Sequence, residues 1–239
     1  TNRMFKPLAN YLGERLGRKI ALVTARDFET FWQGVTARRY DIVHYNQYHY
    51  IRSARSYEVI AHIEEFGQRT IAGVIYVRKD SGITRLADLK GRTVLFGGGE
   101  DAMISYIANS YLLQQAGLKR DDYKALFAVN PPNSIIALHR QQADAAGAGD
   151  VVLSLPLVKK AVDADELVAL VSTAPLLHLP VAVKRSMPPA LRAAVRSILI
   201  GMKDDEAGRQ ALKTAAMTGI GPAQDKDYDP HRAMVRAVL

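Results

Sequence analysis

The 239-residue chain has no cysteine, which excludes disulfide staples, thiol nucleophiles and thiolate metal sites together. That absence permits an oxidising compartment without demonstrating one. Long apolar runs are also lacking: residues 167–171 and 176–183 fall well short of the ~20 needed to span a bilayer. No apolar stretch follows a basic start, so nothing reads as a signal peptide, and the abrupt opening at Thr1 is expected of a mature or trimmed chain. There is no internal repeat and no low-complexity linker. H-E-x-x-H, G-x-S-x-G and a Walker A loop are all missing, so no catalytic motif is present and no cofactor is expected.

What is present is an ordinary globular composition, 48% hydrophobic and 23% charged, with a net charge of +8 from 32 basic and 24 acidic residues. The positive balance favours acidic ligands or surfaces. The Lys and Arg are thinly spread, however, in pairs such as Arg38–Arg39 and Lys159–Lys160 that suit solvated helix faces. With no DNA-reading helix-turn-helix either, no nucleic-acid partner is expected.

Leu8, Leu12 and Leu16, with Phe5 and Tyr11, recur at helical spacing and predict a helix over 3–16. Residues 19–24 (KIALVT) read as a strand, and Asp27 as the N-cap of a helix over 28–37. Strands are expected at 40–45, 59–64, 71–78, 93–96, 123–128, 145–148, 167–171 and 181–184. Helices are expected near 48–54, 85–90, 102–116, 134–141 and 155–162. After residue 184 the pattern is helical throughout: 189–202, 204–217 and a last piece from Pro230. This alternation predicts an α/β fold with mostly parallel sheet. The late switch to consecutive helices suits a split lobe to which the C-terminal helices return.

The order of landmarks resembles the type 2 periplasmic solute-binding proteins, in the phosphate/phosphite/phosphonate-binding branch of ABC transporter substrate-binding proteins. Residues 5–12 (FKPLANYL) are similar to that family's opening helix, and Asp27-Phe28 to its Asp-Tyr pair. Asp41-Ile42-Val43 followed by Tyr50 matches a further segment. Residues 80–83 (DSGI) with 86–92 (LADLKGR) resemble its D-S-G-I…L-x-D-L-K-G stretch. The resemblance implies two lobes with mixed sheets flanked by helices and a ligand cleft between them. Lobe I is expected over 1–77 plus 181–239 and lobe II over 78–180, with hinges near 76–81 and 177–182. Family members begin with a strand before the opening helix. Nothing precedes Thr1 here, so the first sheet is expected to lack that strand.

By the same resemblance the protein is expected to capture a small phosphonate- or phosphite-like oxyanion and to catalyse nothing. It is expected to be a periplasmic monomer whose partner is a membrane permease. The alternative is the ligand-sensing domain of a signalling receptor, or a binder of an amine-bearing or other non-phosphorus ligand. Cleft loops in this architecture follow strand ends, where helix N-termini attract anions. The ligand-binding candidates are His44, Tyr45, Asn46, Tyr48, Tyr50, Gly98, Gly99, Asp101, Ala102, Met103, Asn130, Asn133, Ser134, Asp150 and His178.

Each candidate carries a structural alternative. Asp101 is either a helix N-cap or a ligand contact that accepts a hydrogen bond from a protonated oxyanion or pairs with an ammonium group, and with Glu100 it disfavours fully ionised phosphate. Asp150 either faces the cleft or caps the next helix. Phe28 replaces a pocket tyrosine and can only pack. Residues 97–99 (GGG) lack the dinucleotide spacing G-x-G-x-x-G. His44 and His49 have no third metal ligand nearby in sequence, and 225–229 (DKDYD) lacks a calcium loop's Gly and closing Glu, leaving a surface turn. No metal is expected.

Overall fold

A computed structural model describes residues 2–26 and 28–239, without the surroundings of the Phe28 side chain. The expected cap at Asp27 and the packing of Phe28 lie outside the described residues. The chain folds into two compact units, 1–70 with 177–229 and 71–176 with 230–239.

In the first unit the chain forms α1 (Asn2–Leu16), α2 (Phe28–Thr36), β1 (Ile42–His44), α3 (Gln47–Ser53) and β2 (Tyr57–Glu64). It then runs through β3 (Thr70–Ile71) into the second unit. That unit holds β4 (Gly73–Arg78), β5 (Thr93–Gly97), a π-helical turn at Met103–Ala108 continuous with α4 (Asn109–Gln115), and β6 (Lys124–Ala128). Next come α5 (Pro131–His139), β7 (Ala145–Gly149), α6 (Pro156–Ala161) and β8 (Leu167–Ser172). β9 (Leu176–Leu177) pairs with β3 and leads back. The first unit is completed by β10 (Pro180–Lys184), α7 (Pro189–Ile200), α8 (Glu206–Thr214) and β11 (Gly219–Pro222), before α9 (Asp229–Val238) ends the chain.

The first unit's sheet runs β1-β10-β2-β11 with every pair antiparallel. The expected mostly parallel arrangement therefore fails here: β10, arriving late, inserts between β1 and β2 against both directions. One face is covered by α1, α7 and α8, whose Tyr11, Leu12, Val195, Leu199 and Leu212 pack on Ile63, Val183 and Ile220. The other carries the buried aromatics Tyr45, Tyr50, Tyr57 and Tyr228.

The second unit's sheet runs β6-β5-β7-β4-β8, parallel for β6-β5-β7 and antiparallel at β4. Only this half meets the parallel expectation.

Three further points differ from the expectations above. Residues 19–24 form no strand. Among the described residues no strand pairs with this segment, although β1 and β11 each keep one edge unpaired, and Val23 stands 62% exposed. By contrast, residues 2–5 are helical and no strand lies there, as expected. β11 has no sequence signature, since Gly-Ile-Gly-Pro carries residues depleted from strands. Finally, β4 is a fully sheet-bound member of the second unit, so the chain crosses at 70/71 and 176/177 rather than near 77 and 181. The terminal residues 230–239 group with the second unit, whereas α7 and α8 pack on the first.

Candidate functional site

Because β5, β6 and β7 are parallel, their C-terminal ends lie along one edge of the second unit's sheet. The loops leaving that edge are pinned together. Gly98 donates its N–H to Ala128 O at 2.8 Å, and a Cβ on Gly97 would fall 2.2 Å from Pro131 Cα. Gly149, ending β7, lies against Ile104. Gly98 has φ +94°, a left-handed backbone that an L side chain rarely adopts, so glycine is required for the turn. The candidates Gly98, Gly99, Asp101, Ala102, Asn130, Asn133 and Asp150 are thus gathered at one edge.

The two helix N-termini at this edge differ in what they leave for a ligand. At α5, Asn130 is the N-cap: its side chain accepts from Asn133 N at 3.0 Å, and its carbonyl takes Ser134 N. The next two residues are prolines and have no N–H. Ser134 is buried and donates its hydroxyl to Pro131 O at 2.8 Å. Asn130 and Ser134 therefore serve the loop, and only Asn133 remains exposed there.

At the 103–115 helix the N-cap is Ala102, which makes no side-chain cap bond; Asp101 is not the cap. The backbone N–H groups opening this helix receive no acceptor from the capping side chain, the arrangement that favours an anion. Met103 is buried and anchors the turn, and Ser105 donates its hydroxyl to Gly97 O. Glu100, Asp101 and Asp150 are exposed carboxylates around the same loops, and burial together with the Asp150 charge raises the Tyr76 hydroxyl to about 12.

In the first unit, the candidates from 44 to 50 are largely scaffold. Asn46 caps α3, accepting from His49 N at 2.9 Å. Tyr45 is buried with its hydroxyl 2.9 Å from Ser53 Oγ, and desolvation raises its pKa above the ordinary tyrosine value. Tyr50 is fully buried and donates to Asp225 Oδ1 at 2.5 Å. His44 Nδ1 lies 3.3 Å from Pro180 O, and burial lowers its pKa. His178 is 1% exposed; its Nδ1 accepts from Leu179 N at 2.8 Å, and its Nε2 faces Glu65 Oε2 at 3.5 Å. Tyr48 keeps a half-buried ring, with the Arg52 guanidinium 5.3 Å from its centre.

Sequence reasoning misses Gln47 and Tyr228, which bond across 130 and 50 residues respectively. It reads 225–229 as a surface turn, yet Tyr228 is fully buried within that segment. No local signal marks such partners. Among the described residues no group of three or more His, Asp or Glu could hold a metal ion, and no helix is long and apolar enough to cross a membrane.

Comparison with solved structures places this fold among two-lobed binding proteins. PhnD1 from Prochlorococcus marinus, solved with methylphosphonate, is 16% identical with a TM-score of 0.83, over 99% of this chain and 92% of that one. XAC2383 from Xanthomonas citri, solved with ATP, is 21% identical with a TM-score of 0.81, over 99% and 92%. A binding protein component of an ABC phosphonate transporter from Pseudomonas aeruginosa is 16% identical with a TM-score of 0.78, over 98% and 80%. Residues 1–228 match the family described as "ABC transporter, phosphonate, periplasmic substrate-binding protein", which is not an enzyme class. The chain therefore belongs to the phosphonate family of periplasmic substrate-binding proteins of ABC transporters.

Proposed function

We propose that this substrate-binding protein captures a small phosphonate- or phosphite-like oxyanion and presents it to a membrane permease. The observation that carries the reading is the helix N-terminus at Ala102, free of a side-chain cap and set at the shared edge of three parallel strands. Backbone N–H groups there favour negative charge. The nearby Glu100 and Asp101 repel a fully ionised phosphate. A singly protonated oxyanion, by contrast, donates a hydrogen bond from its hydroxyl to a carboxylate while its other oxygens accept from the amides. PhnD1 and XAC2383 were solved with ligands carrying phosphonyl or phosphoryl groups, which supports the same class.

A second reading rests on those carboxylates: Glu100, Asp101 and Asp150 at one edge also suit an amine-bearing ligand.

The test is a thermal-shift series in phosphate-free buffer with methylphosphonate, aminoethylphosphonate, phosphite, phosphate, ATP and arginine. A ligand at ~100 times its Kd adds about 2.7 kcal/mol, and a chain of this size gains roughly 2–4 °C per kcal/mol. The expected result is a shift with methylphosphonate or phosphite that exceeds that with phosphate and is lost in Asp101→Ala. A response to arginine alone rewrites the ligand class. A shift with ATP alone extends the phosphoryl class to nucleotides.

A further inference from the structure

The helix at 103–115 does not open as an ordinary α-helix. Ala102 O accepts from both Tyr106 N and Ile107 N, each at 3.0 Å, so the first turn is already widened to i→i+5. Such a turn holds one residue more than an α-turn, and bulges of this kind recur at functional sites. Where the wide turn meets α4 the ladder shifts, and the Asn109 N–H bonds Tyr106 O, three residues back.

The two carbonyls before Tyr106 face the sheet. A Cβ on Gly73 would stand 3.0 Å from Ile104 O, and one on Gly147 would stand 2.6 Å from Ser105 O. Both glycines are buried, so these carbonyls need a partner from the protein. The Asn109 side chain supplies it. Its Nδ2 donates to Ile104 O at 3.1 Å and Ser105 O at 3.0 Å, and reaches Ala148 O on β7 at 3.3 Å. A second tie, from the Ser105 hydroxyl to Gly97 O, fastens the turn to the end of β5.

Asn109 is fully buried, and its own Oδ1 finds no donor among the described residues. An unsatisfied buried oxygen is costly, and leucine would fill the same space without that cost. The donors of Asn109 are therefore what the turn needs from this residue.

The wide turn sets the facing of the amides that open the helix. Among the described residues the Met103, Ile104 and Ser105 N–H groups have no acceptor. Restoring α geometry removes one residue from the turn and rotates what precedes it by about 100° around the helix axis. We propose that Asn109 is a positioning residue for the oxyanion: its side-chain amide holds 103–108 in the wide turn and so fixes the direction of these three N–H groups. The assignment rests on the oxyanion reading above, and the experiment separates the two.

Residual dipolar couplings of the ligand-free protein report the direction of each N–H, and titration with methylphosphonate and phosphite reports affinity. The parent is compared with Asn109→Leu, Asn109→Ser and Ser110→Ala. Asn109→Ser keeps one donor, because a serine hydroxyl bonds the carbonyl four residues back, here Ser105 O. Ser110 is the control: it is buried one position on and hydrogen-bonds none of the three carbonyls. In Asn109→Leu the couplings of residues 103–105 are expected to leave the parent orientation while those of β5 and β7 keep it. Binding is expected to weaken about tenfold or more in that variant, and about fivefold in Asn109→Ser, the factor of one net hydrogen bond. If Asn109→Leu does not fold, Asn109→Ser carries the comparison. Ser110→Ala is expected to match the parent in both measurements. Couplings that keep the parent orientation in the Asn109 variants overturn the proposal. Equal loss of binding in Ser110→Ala also overturns it, since that would mean general loosening of the helix. Moved couplings with unchanged affinity, or a parent that binds neither ligand, overturn the oxyanion reading at these amides, and the positioning role falls with it.

Discussion

The two units solve the same packing problem with opposite materials. In the first, Tyr45, Tyr50, Tyr57 and Tyr228 fill one side of the sheet, and each hydroxyl bonds to a named partner. In the second, β7 is Ala-Ala-Gly-Ala-Gly, wholly buried, and the 103–108 turn lies directly against it. Large side chains with polar tips give the first unit long-range ties. Small residues let the second bring backbone close to backbone, which a site built from amide N–H groups requires. The charge agrees with this division. Residues 1–70 and 177–229 hold 19 of the 32 basic and 13 of the 24 acidic residues, so the second unit, which carries the β5–β7 edge, is itself close to neutral. If an anion binds at that edge, the second unit offers it local dipoles rather than a large net charge of its own.

The harshest way to break the comparison is to put bulk into β7. A Cβ on Gly147 would stand 2.5 Å from Phe96 Cδ1 and 2.6 Å from Ser105 O. Phe96 is fully buried against Tyr106, with ring centres 5.1 Å apart, and has nowhere to retreat. Gly147→Val is expected to cost about 3 kcal/mol or more, the upper range of overpacking. Ile63→Val in the first unit, which only removes a methylene, is expected to cost about 1 kcal/mol. Denaturant midpoints measure both. Equal costs would mean that the second unit is not tightly apposed.

A smaller effect separates the units by pH. His44 and His62, both in the first unit, have pKa values lowered from 6.5, chiefly by desolvation. The unfolded chain therefore takes up protons at higher pH than the folded one. Stability is unaffected above 6.5 and declines as pH falls below it towards the folded values. His44→Asn keeps an N–H for Pro180 O but does not titrate, and is expected to reduce the slope of Tm against pH in that window. Asp205 acts lower down. Its carboxyl is held below the ordinary 3.8 by the Tyr11 hydroxyl, the Gly208 N–H and Arg15, so its contribution is present above 3.8 and lost as pH falls through its folded value. An unchanged slope in His44→Asn would show that its burial does not govern the titration.

The same contrast explains what is legible in the sequence. The helical spacing of α1 and the β-branched run of β4 depend on near neighbours in the chain, and both form as their patterns predict. In the second unit the edge is legible as well, because a Gly run after a strand and an Asn-Pro-Pro-Asn loop are local signals. The first unit's half is not. From 44 to 50 burial alternates between half and complete, and aromatic identity does not say which ring faces inward. What fixes Tyr50 is Asp225, 175 residues away, and what fixes Gln47 is a backbone carbonyl 130 residues away. Residues 19–24 show the converse error: strand-like composition forms no strand without a partner to pair with.

The smallest expected change in stability sharpens the backbone-site idea most directly. A Cβ added to Gly99 meets nothing within 4 Å, and its φ is not in the left-handed region, so Gly99→Ala is expected to alter stability by less than ~0.5 kcal/mol. Gly98→Ala is different: its φ of +94° and a contact 3.2 Å from Ala102 Cβ predict a cost of about 1 kcal/mol or more. Yet Gly99 lies three residues before Ala102, the N-cap of the 103–115 helix, so a side chain added there is expected to hinder an oxyanion seated on the amides opening that helix. Isothermal titration with the oxyanion that gives the largest thermal shift separates the two effects. Weakened binding by Gly99→Ala at unchanged stability places the ligand against this backbone. Unchanged binding would move the ligand off the glycine loop, towards the exposed side chains of Asn133 and Asp150, and the contrast between a backbone-built and a side-chain-built unit would then not extend to ligand capture.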